Sequence, residues 1–448
     1  MGEARVDLLG PIRIIHEHLT KALCESVFDE RRITERRRVW TLQAMAEFWT
    51  AVILRAPSSL RQALDESQRG AGGFPLVRAS PESFFERAQG MRWQFFADLF
   101  AAFTASALKD HAPAFEQDLA RALPAFADVL VVDGSRLDAI AHRLKVLRGE
   151  SAVVLPGSLL VLYDLFRGVP LRVGFDEDSN RAEIPALRAQ IDAIPKGALL
   201  LGDRAFCSHR LFGELRARGI FVLARCTKAI GLERLDELSR CDHEGGVLLD
   251  TFVLAGTPQR PAQRQRLRLI EWRAGKKSIR LLTSVLDPEK LPAAAAITLY
   301  RRRWSVERMF YDLKEVLNLH RFYAANVNAV SMQVHAAAIV YVAFRIAQAR
   351  IAKEAALEPE RFSVEKLYPR VASASTAYVT TCLTVIALRA ANPGVTLVEP
   401  DWSQQPFAWV TLDSVLVESR NARRRRPRRS AAMRPHASLH SFTRRRGH

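Results

Sequence analysis

Cysteine is scarce in this chain of 448 residues. Its five cysteines are scattered, and no two of them form a CxxC pair. This spacing argues against a zinc module or a disulfide framework and fits the reducing cytosol. The N-terminal residues also lack the basic and then apolar pattern of a signal sequence. We therefore expect a cytoplasmic protein.

Charged residues are missing from a second stretch, residues 322–344. A long run without Asp, Glu, Lys or Arg is one mark of a membrane-spanning helix. Two asparagines, a serine, a glutamine and a histidine nevertheless interrupt this run. A buried core helix is the better interpretation, so we expect no membrane partner.

Acidic residues are too few to balance the basic ones, and the formal net charge is +18. Residues 421–448 contain ten arginines and no acid, which leaves about +8 for the rest of the chain. Such an excess indicates a polyanionic partner, and a nucleic acid fits best. The Arg-rich tail has no core-forming pattern, so we expect it to be disordered when free. Two interpretations of the tail stay open, a nonspecific grip on DNA and an extension with no selected role.

The pattern of apolar residues changes along the chain. The first part has the spacing of amphipathic helices, and from about residue 125 short β-branched runs alternate with helices. Alternating strands and helices after an initial hairpin predict a mixed α/β sheet. The predicted segments are a helical DNA-binding region at 1–124, the first part of the α/β domain at 125–225, a β-rich insertion at 226–290, the second part of the α/β domain at 291–325, a helical region that may dimerise at 326–420, and the tail at 421–448.

A basic run, RRITERRR, spans Arg31 to Arg38 in the N-terminal region. One interpretation is a solvated face that keeps the protein soluble. The other is a phosphate-contacting helix of a DNA-binding domain, with Arg36 and Arg37 as its candidate contacts. The sequence leaves both interpretations open.

Two aspartates follow predicted buried strands. Asp133 ends the run ADVLVVD, and Asp203 ends GALLLGD. Open α/β sheets place functional groups at the carboxyl ends of their strands. A third carboxylate, Glu307, lies in a segment without Gly or Pro that we predict as helix.

The predicted helix around Glu307 has two distinct faces. At about 100° per residue, one arc is polar and the neighbouring arc is apolar. On an isolated amphipathic helix, Arg303 and Glu307 would be an ordinary i,i+4 ion pair. The polar arc holds Tyr300, Arg303, Glu307, Tyr311 and Lys314, and the apolar arc holds Val306, Phe310, Leu313 and Leu317.

Packing this helix on the sheet would bring Asp133, Asp203 and Glu307 together. Three neighbouring carboxylates repel one another unless a cation lies among them. Magnesium prefers oxygen ligands, and two ions about 4 Å apart can activate water for phosphodiester cleavage. The sequence therefore predicts a two-magnesium site that acts on a nucleic acid.

The order and flanks of these residues resemble the DDE transposases of bacterial insertion sequences, which have the ribonuclease-H-like fold. The branch marked by Y-x-x-R-x-x-x-E-x-x-x-x-x-x-K is matched by Tyr300, Arg303, Glu307 and Lys314. This branch also has a β-strand insertion between its second Asp and its Glu. The predicted strands at 226–290 occupy that place. The two family aspartates would be Asp133 and Asp203.

The resemblance implies cut-and-paste transposition through a hairpin intermediate. Its catalytic and metal-binding residues would be Asp133, Asp203 and Glu307, holding two Mg²⁺ ions for which Mn²⁺ may substitute. Its partners would be the transposon terminal repeats, target DNA and a second copy of the chain, in the cytoplasm on the nucleoid. Two other functions stay open, a non-catalytic DNA-binding remnant and a stand-alone Mg-dependent endonuclease.

The resemblance also implies contacts to DNA. Tyr300, Arg303 and Lys314 would touch phosphates near the cut end. Members of the branch may stack a flipped base on an aromatic residue of the insertion, and Trp272 is the single Trp there. A Trp that fills the small core of the insertion is the alternative for Trp272.

Overall fold

The computed structural model describes residues 5–136, 157–178, 181–227, 229–260, 263–317, 319, 321–323, 326–391 and 401–417. The Arg-rich tail at 421–448, for which we predict disorder, lies outside these residues.

Residues 5–122 form helices after one short strand. Hydroxyl side chains begin several of them, because Thr20, Thr41, Ser59 and Ser80 each accept a hydrogen bond from a free N–H of the first turn. The elements are β1 Arg5–Asp7, α1 Gly10–His18, α2 Lys21–Arg31, α3 Leu42–Arg55, α4 Leu60–Arg69, α5 Pro81–Gly90, α6 Gln94–Ala107 and α7 Gln117–Ala122.

A long C-terminal helix joins this region into one helical body. Helix Val327–Glu354 packs against α1, α3 and α6, and β1 pairs with the strand Trp409–Thr411 near the other end of the chain. The helix is long and apolar enough to cross a membrane, but 89% of its most apolar stretch is buried inside the protein. This is the core helix that the interrupted apolar run predicts.

The strands around Asp133 and Asp203 form the centre of a nine-stranded sheet. In space the order is β4-β3-β2-β5-β6; β2, β5 and β6 are parallel, and β3 runs antiparallel to both of its neighbours, β2 and β4. This order, an antiparallel hairpin beside parallel strands, is the ribonuclease-H-like arrangement. The strands are β2 Val129–Arg136, β3 Ser158–Asp164, β4 Val169–Asp176, β5 Leu199–Gly202 and β6 Phe221–Arg225.

The β-rich segment at 226–290 continues the same sheet. Its last strand pairs with β6, and the other three follow as an antiparallel meander. The first of these strands was not predicted, because it alternates charged residues on a sheet edge and lacks an apolar face. The strands are β7 Leu232–His243, β8 Gly246–Ala255, β9 Gln265–Ala274 and β10 Lys277–Thr283.

Helices cover both faces of the central sheet. One face packs on the helical body, and the other on two short helices that follow β4 and β5. The remaining elements are α8 Glu183–Arg188, α9 His209–Ala217, α10 Ala293–Arg302, α11 Trp304–Tyr311, a π-helical turn Asp312–Val316, α12 Val327–Glu354, α13 Val364–Ala391 and β11 Trp409–Thr411.

Candidate active site

Strand register places Asp133 and Asp203 side by side. Val131 of β2 is paired with Leu201 of the parallel strand β5, and each aspartate comes two residues later on its own chain. Side chains two residues apart on a strand lie on the same face, so both aspartates lie at the same level of the sheet. Strand β2 nevertheless continues to Arg136 beside β3, so Asp133 does not end its strand as predicted.

Glu307 comes to the sheet on helix α11. The predicted apolar stripe is buried as expected, since Val306, Phe310, Leu313 and Leu317 are each at most 7% exposed. Helix α11 packs against β2 through this stripe. The predicted single helix is interrupted at Arg303, where the N–H of Arg303 bonds to the Tyr300 carbonyl in a tighter turn.

The guanidinium of Arg303 lies between two of the carboxylates. It donates to Oδ2 of Asp133 at 3.4 Å and to Oε1 of Glu307 at 3.2 Å. The Arg303 side chain is only 9% exposed, and its Nε has no hydrogen-bond partner among the described residues. One positive charge is therefore held, incompletely bonded, inside a group of acids.

Burial and neighbouring acids raise the pKa of two of these carboxyl groups. Burial raises the pKa of Asp133 to about 7, Arg303 opposes this, and the charges of Glu307 and Asp203 add to it. Burial also raises the pKa of Glu307, with opposition from Arg303 and a contribution from Asp203. A like charge raises the pKa of a carboxyl group only at short range, so both other acids are neighbours of Asp133. Strongly shifted carboxylates in a cleft are common at functional sites.

Two of the other signature residues border this group. Tyr300 is buried, and its ring centre lies 5.9 Å from Cζ of Arg303. Lys314 donates from Nζ to the hydroxyl of Ser135 at 3.4 Å, next to Gly134 on β2. Tyr311, which the helical arc groups with them, points elsewhere, because its hydroxyl lies 3.5 Å from Glu365 of α13. The kink at Arg303 and the following π-turn change the helical phase.

Comparisons with known proteins match the same part of the chain. The family model described as "Transposase DDE domain" matches residues 154–343, a range that holds Asp203 and Glu307. Over this range the chain is similar to DDE transposases.

The chain is also similar to two curated relatives. It is 30% identical over 194 residues to the putative transposase y4zB of Sinorhizobium fredii, covering 40% of this chain and 54% of that one. It is 29% identical over 149 residues to the probable transposase for insertion sequence element IS5377 of Geobacillus stearothermophilus, covering 33% and 38%. The chain thus spans about half or less of the relatives it matches.

Among solved structures, this chain is similar to a piggyBac transposase synaptic complex with hairpin DNA. The TM-score is 0.43 and the sequence identity 12%, over 90% of this chain and 89% of that chain.

Trp272 does not have the exposure that base stacking requires. It is 7% exposed, and its indole N–H donates to the carbonyl of His243 at 2.9 Å. The guanidinium of Arg301 lies 5.2 Å from the ring centre. The stacking interpretation is therefore wrong for this conformation, and the alternative of a core Trp describes the residue.

The basic run ends α2 with Arg31 and then continues as a loop between α2 and α3, so the helix expected for Arg36 and Arg37 is wrong. Arg36 and Arg37 are both exposed, as a DNA contact requires. Arg37 is paired with Asp29 at 2.8 Å. Arg36 forms no ion pair or hydrogen bond within the described residues.

Two residues at the site escaped the sequence analysis. Trp304 follows Arg303 and is 55% exposed, with its ring centre 5.6 Å from Cζ of Arg303. Glu183, the first residue of α8, lies close enough to add its charge to those acting on Asp133. Trp304 lies within the signature segment, but the sequence does not show that its side chain is exposed. Glu183 has no flanking pattern that marks it, so only the fold could reveal it.

Proposed function

We propose that this protein is a cut-and-paste DNA transposase that cleaves phosphodiesters at transposon ends and joins the freed 3′-OH to target DNA. A hairpin on the transposon end is the proposed intermediate. The observation that supports this best is the pairing of Asp133 and Glu307 on Arg303, with Asp203 in electrostatic contact with both acids.

Asp133, Asp203 and Glu307 would hold two Mg²⁺ ions, or Mn²⁺ in their place. The donor set is made only of carboxylate oxygens, which hard divalent ions prefer. Within the described residues, no three His, Cys, Asp or Glu side chains are already arranged as a metal cage, and the Arg303 guanidinium lies among the acids. A bound pair of ions would supply an activated water and stabilise the leaving oxygen.

The cations of the site have a separate task, which is to bind the DNA backbone. Arg303 and Lys314 offer positive charge on either side of Asp133, and the Tyr300 hydroxyl offers a hydrogen bond. Contacts of this kind fix the register of the scissile phosphate and offset the charge that develops on it. The guanidinium of Arg303 would exchange its two carboxylates for a phosphate when DNA binds.

An aromatic contact to DNA is better assigned to Trp304 than to Trp272. Trp304 presents an exposed indole beside the carboxylates, whereas Trp272 is covered. Stacking of one base on an aromatic ring contributes roughly 1–3 kcal/mol. A base displaced from the duplex end could stack there while its phosphate binds at the site.

The remaining contacts would be made away from the site. The exposed loop with Arg36 and Arg37 would bind phosphates of the terminal repeat. Two ends must be brought together for transposition, so we propose a homodimer on DNA, acting at the nucleoid.

The test is incubation of the full chain with Mg²⁺ and a DNA that carries the terminal repeats of the element. Hairpin and joined products are expected. Cleavage without joining would show a nuclease instead, and binding without cleavage would show a non-catalytic DNA-binding protein. Reactions with Ca²⁺ in place of Mg²⁺ give a matched control, because binding should persist while cleavage stops.

A further inference from the structure

Glu183 lies at the edge of the carboxylate group, on an element that contributes none of the proposed catalytic acids. It is half-buried and begins helix α8, the first helix after the hairpin β3–β4. Helix α8 packs on β3, the neighbour of β2. Its position in the fold therefore brings Glu183 to the site from the side opposite to Glu307.

The backbone beside Asp133 leaves room for this carboxylate. A Cβ built on Gly134 would lie 2.6 Å from Oε1 of Glu183, closer than two such atoms approach. The Glu183 carboxylate thus occupies the space that a side chain at position 134 would need. A larger residue here would push Glu183 away from Asp133.

The charges around Glu183 are unfavourable for a residue with only a structural role. The negative charge of Glu183 acts on Asp133. Burial raises the pKa of Glu183, the charge of Asp203 adds to this, and Arg303 opposes it. Within the described residues, the side chain of Glu183 forms no hydrogen bond and no ion pair. Four carboxylates thus lie around the Arg303 guanidinium, and acids outnumber this cation.

We propose that Glu183 is a fourth acidic residue of the metal site, and that its carboxylate binds one of the divalent ions directly or through a water ligand. This inference rests on the proposed function, since it adds a residue to the same site. A fourth carboxylate adds an oxygen ligand to the set, and hard divalent cations prefer several carboxylate oxygens. The open position at Gly134 gives that carboxylate its access.

A structural role for Glu183 has a different expectation. An acid in the first turn of a helix stabilises that helix through the helix dipole. That role is independent of metal ions, and glutamine would weaken it without changing how the protein binds Mn²⁺. Metal binding by the free protein therefore separates the two roles without recourse to activity.

The experiment measures Mn²⁺ binding to the full chain by electron paramagnetic resonance of the free ion. Glu183→Gln is expected to lower the affinity of at least one ion about tenfold or more, the range found when groups around a metal are removed. Glu177→Gln removes a charge from an exposed glutamate nearby and is expected to bind Mn²⁺ like the unchanged protein. Glu183→Asp, which retains the charge and withdraws it by one methylene, is expected to fall between them.

A second readout follows folding rather than binding. In EDTA, Glu183→Gln is expected to raise the melting temperature because it removes a repelling charge, and the gain on adding Mn²⁺ should shrink. Unchanged Mn²⁺ affinity in Glu183→Gln, while Asp133→Asn abolishes binding, would overturn this inference and leave the proposed function intact. Unchanged Mn²⁺ binding in Asp133→Asn would overturn the proposed metal site itself.

Discussion

Two groups of acids and arginines in this protein differ in how their charges are balanced. In the insertion, Arg268 is fully buried and lies against Asp250, and its remaining N–H groups donate to the carbonyls of Val285, Asp287 and Leu291. At the candidate active site, the guanidinium of Arg303 donates one hydrogen bond to Asp133 and one to Glu307, and its Nε has no partner among the described residues. The buried arginine of the first group is bonded by the protein itself, whereas the arginine of the second group keeps an N–H that is unbonded in the part of the chain that the structure describes.

The pKa values report the same difference. Glu271 in the insertion is surrounded by Arg234, Arg273 and Arg280. Burial would raise the pKa of Glu271, but its hydrogen bond and attraction to Arg234 and the charge of Arg280 hold it below its usual range. The pKa of Asp133 is instead raised to about 7. Balanced charges stabilise a fold, whereas an excess of one sign prepares a site for a counterion.

The largest effect should come from Glu307→Gln. We expect cleavage of terminal-repeat DNA to fall at least about a thousandfold, because a lost metal ligand removes several kcal/mol of charge stabilisation. DNA affinity, measured by fluorescence anisotropy in Ca²⁺, should change little. Equal loss of both would show that Glu307 supports the fold, and the contrast with the insertion would disappear.

The balanced group should respond through stability. Asp250→Asn leaves Arg268 buried with a weaker partner, so we expect the free energy of unfolding to fall by about 3 kcal/mol. Urea denaturation without metal measures it. Asp133→Asn is the matched change at the other group and should not destabilise the protein. Similar losses in both variants would contradict the distinction drawn here.

The unbalanced group should give a pH dependence to stability in EDTA. The folded protein binds the Asp133 proton more tightly than the unfolded chain does, because the pKa is raised from 3.8 to about 7. This contribution is therefore present below about pH 4 and lost as the pH rises through 7, on the order of 2 kcal/mol.

Urea denaturation at pH 5 and pH 8 measures this contribution. Asp133→Asn should flatten the difference relative to the unchanged protein, whereas Asp192→Asn, at a side chain that is 96% exposed, should not. An Asp133→Asn profile that parallels the unchanged protein would mean that Asp133 does not titrate in this range.

The smallest effect should come from the exposed loop. Arg36→Ala should weaken DNA binding a few-fold and lower the slope of log K against log salt by about one. Anisotropy titrations between 50 and 200 mM salt measure this slope. Arg121→Ala, at a 71% exposed arginine already paired with Asp118, provides the control. Equal slopes for both variants would remove the loop from the DNA interface.

Much of the site followed from local patterns. The buried strands before Asp133 and Asp203 and the helix carrying Glu307 were predicted from apolar spacing, and the buried stripe of that helix is confirmed. Tyr311 was assigned to the polar arc, but a regular 100° step cannot anticipate the break at Arg303. Strand β7 was missed because a charged edge strand has no apolar face.

Trp272 and Glu183 show where sequence patterns stop being informative. An aromatic residue in a short β segment has the same pattern whether its ring is covered or free, and the pairing of β8 with β9 decided that Trp272 is covered. Glu183 is an acid at a helix start like many others. Only the approach of α8 to Gly134 distinguishes it.

The sequence alone determined which residues could form strands, which helix would bury one face, and that the whole chain would carry excess positive charge. These properties depend on neighbours within a few residues, so they can be read from spacing and composition. The tertiary structure decided which carboxylates meet, because strand register and helix packing join residues that are 170 positions apart in the chain, as Asp133 and Arg303 are. It also decided that Arg303 lies among four acids. The balance of charge at a site depends on which residues are close in space, and these residues come from distant parts of the chain.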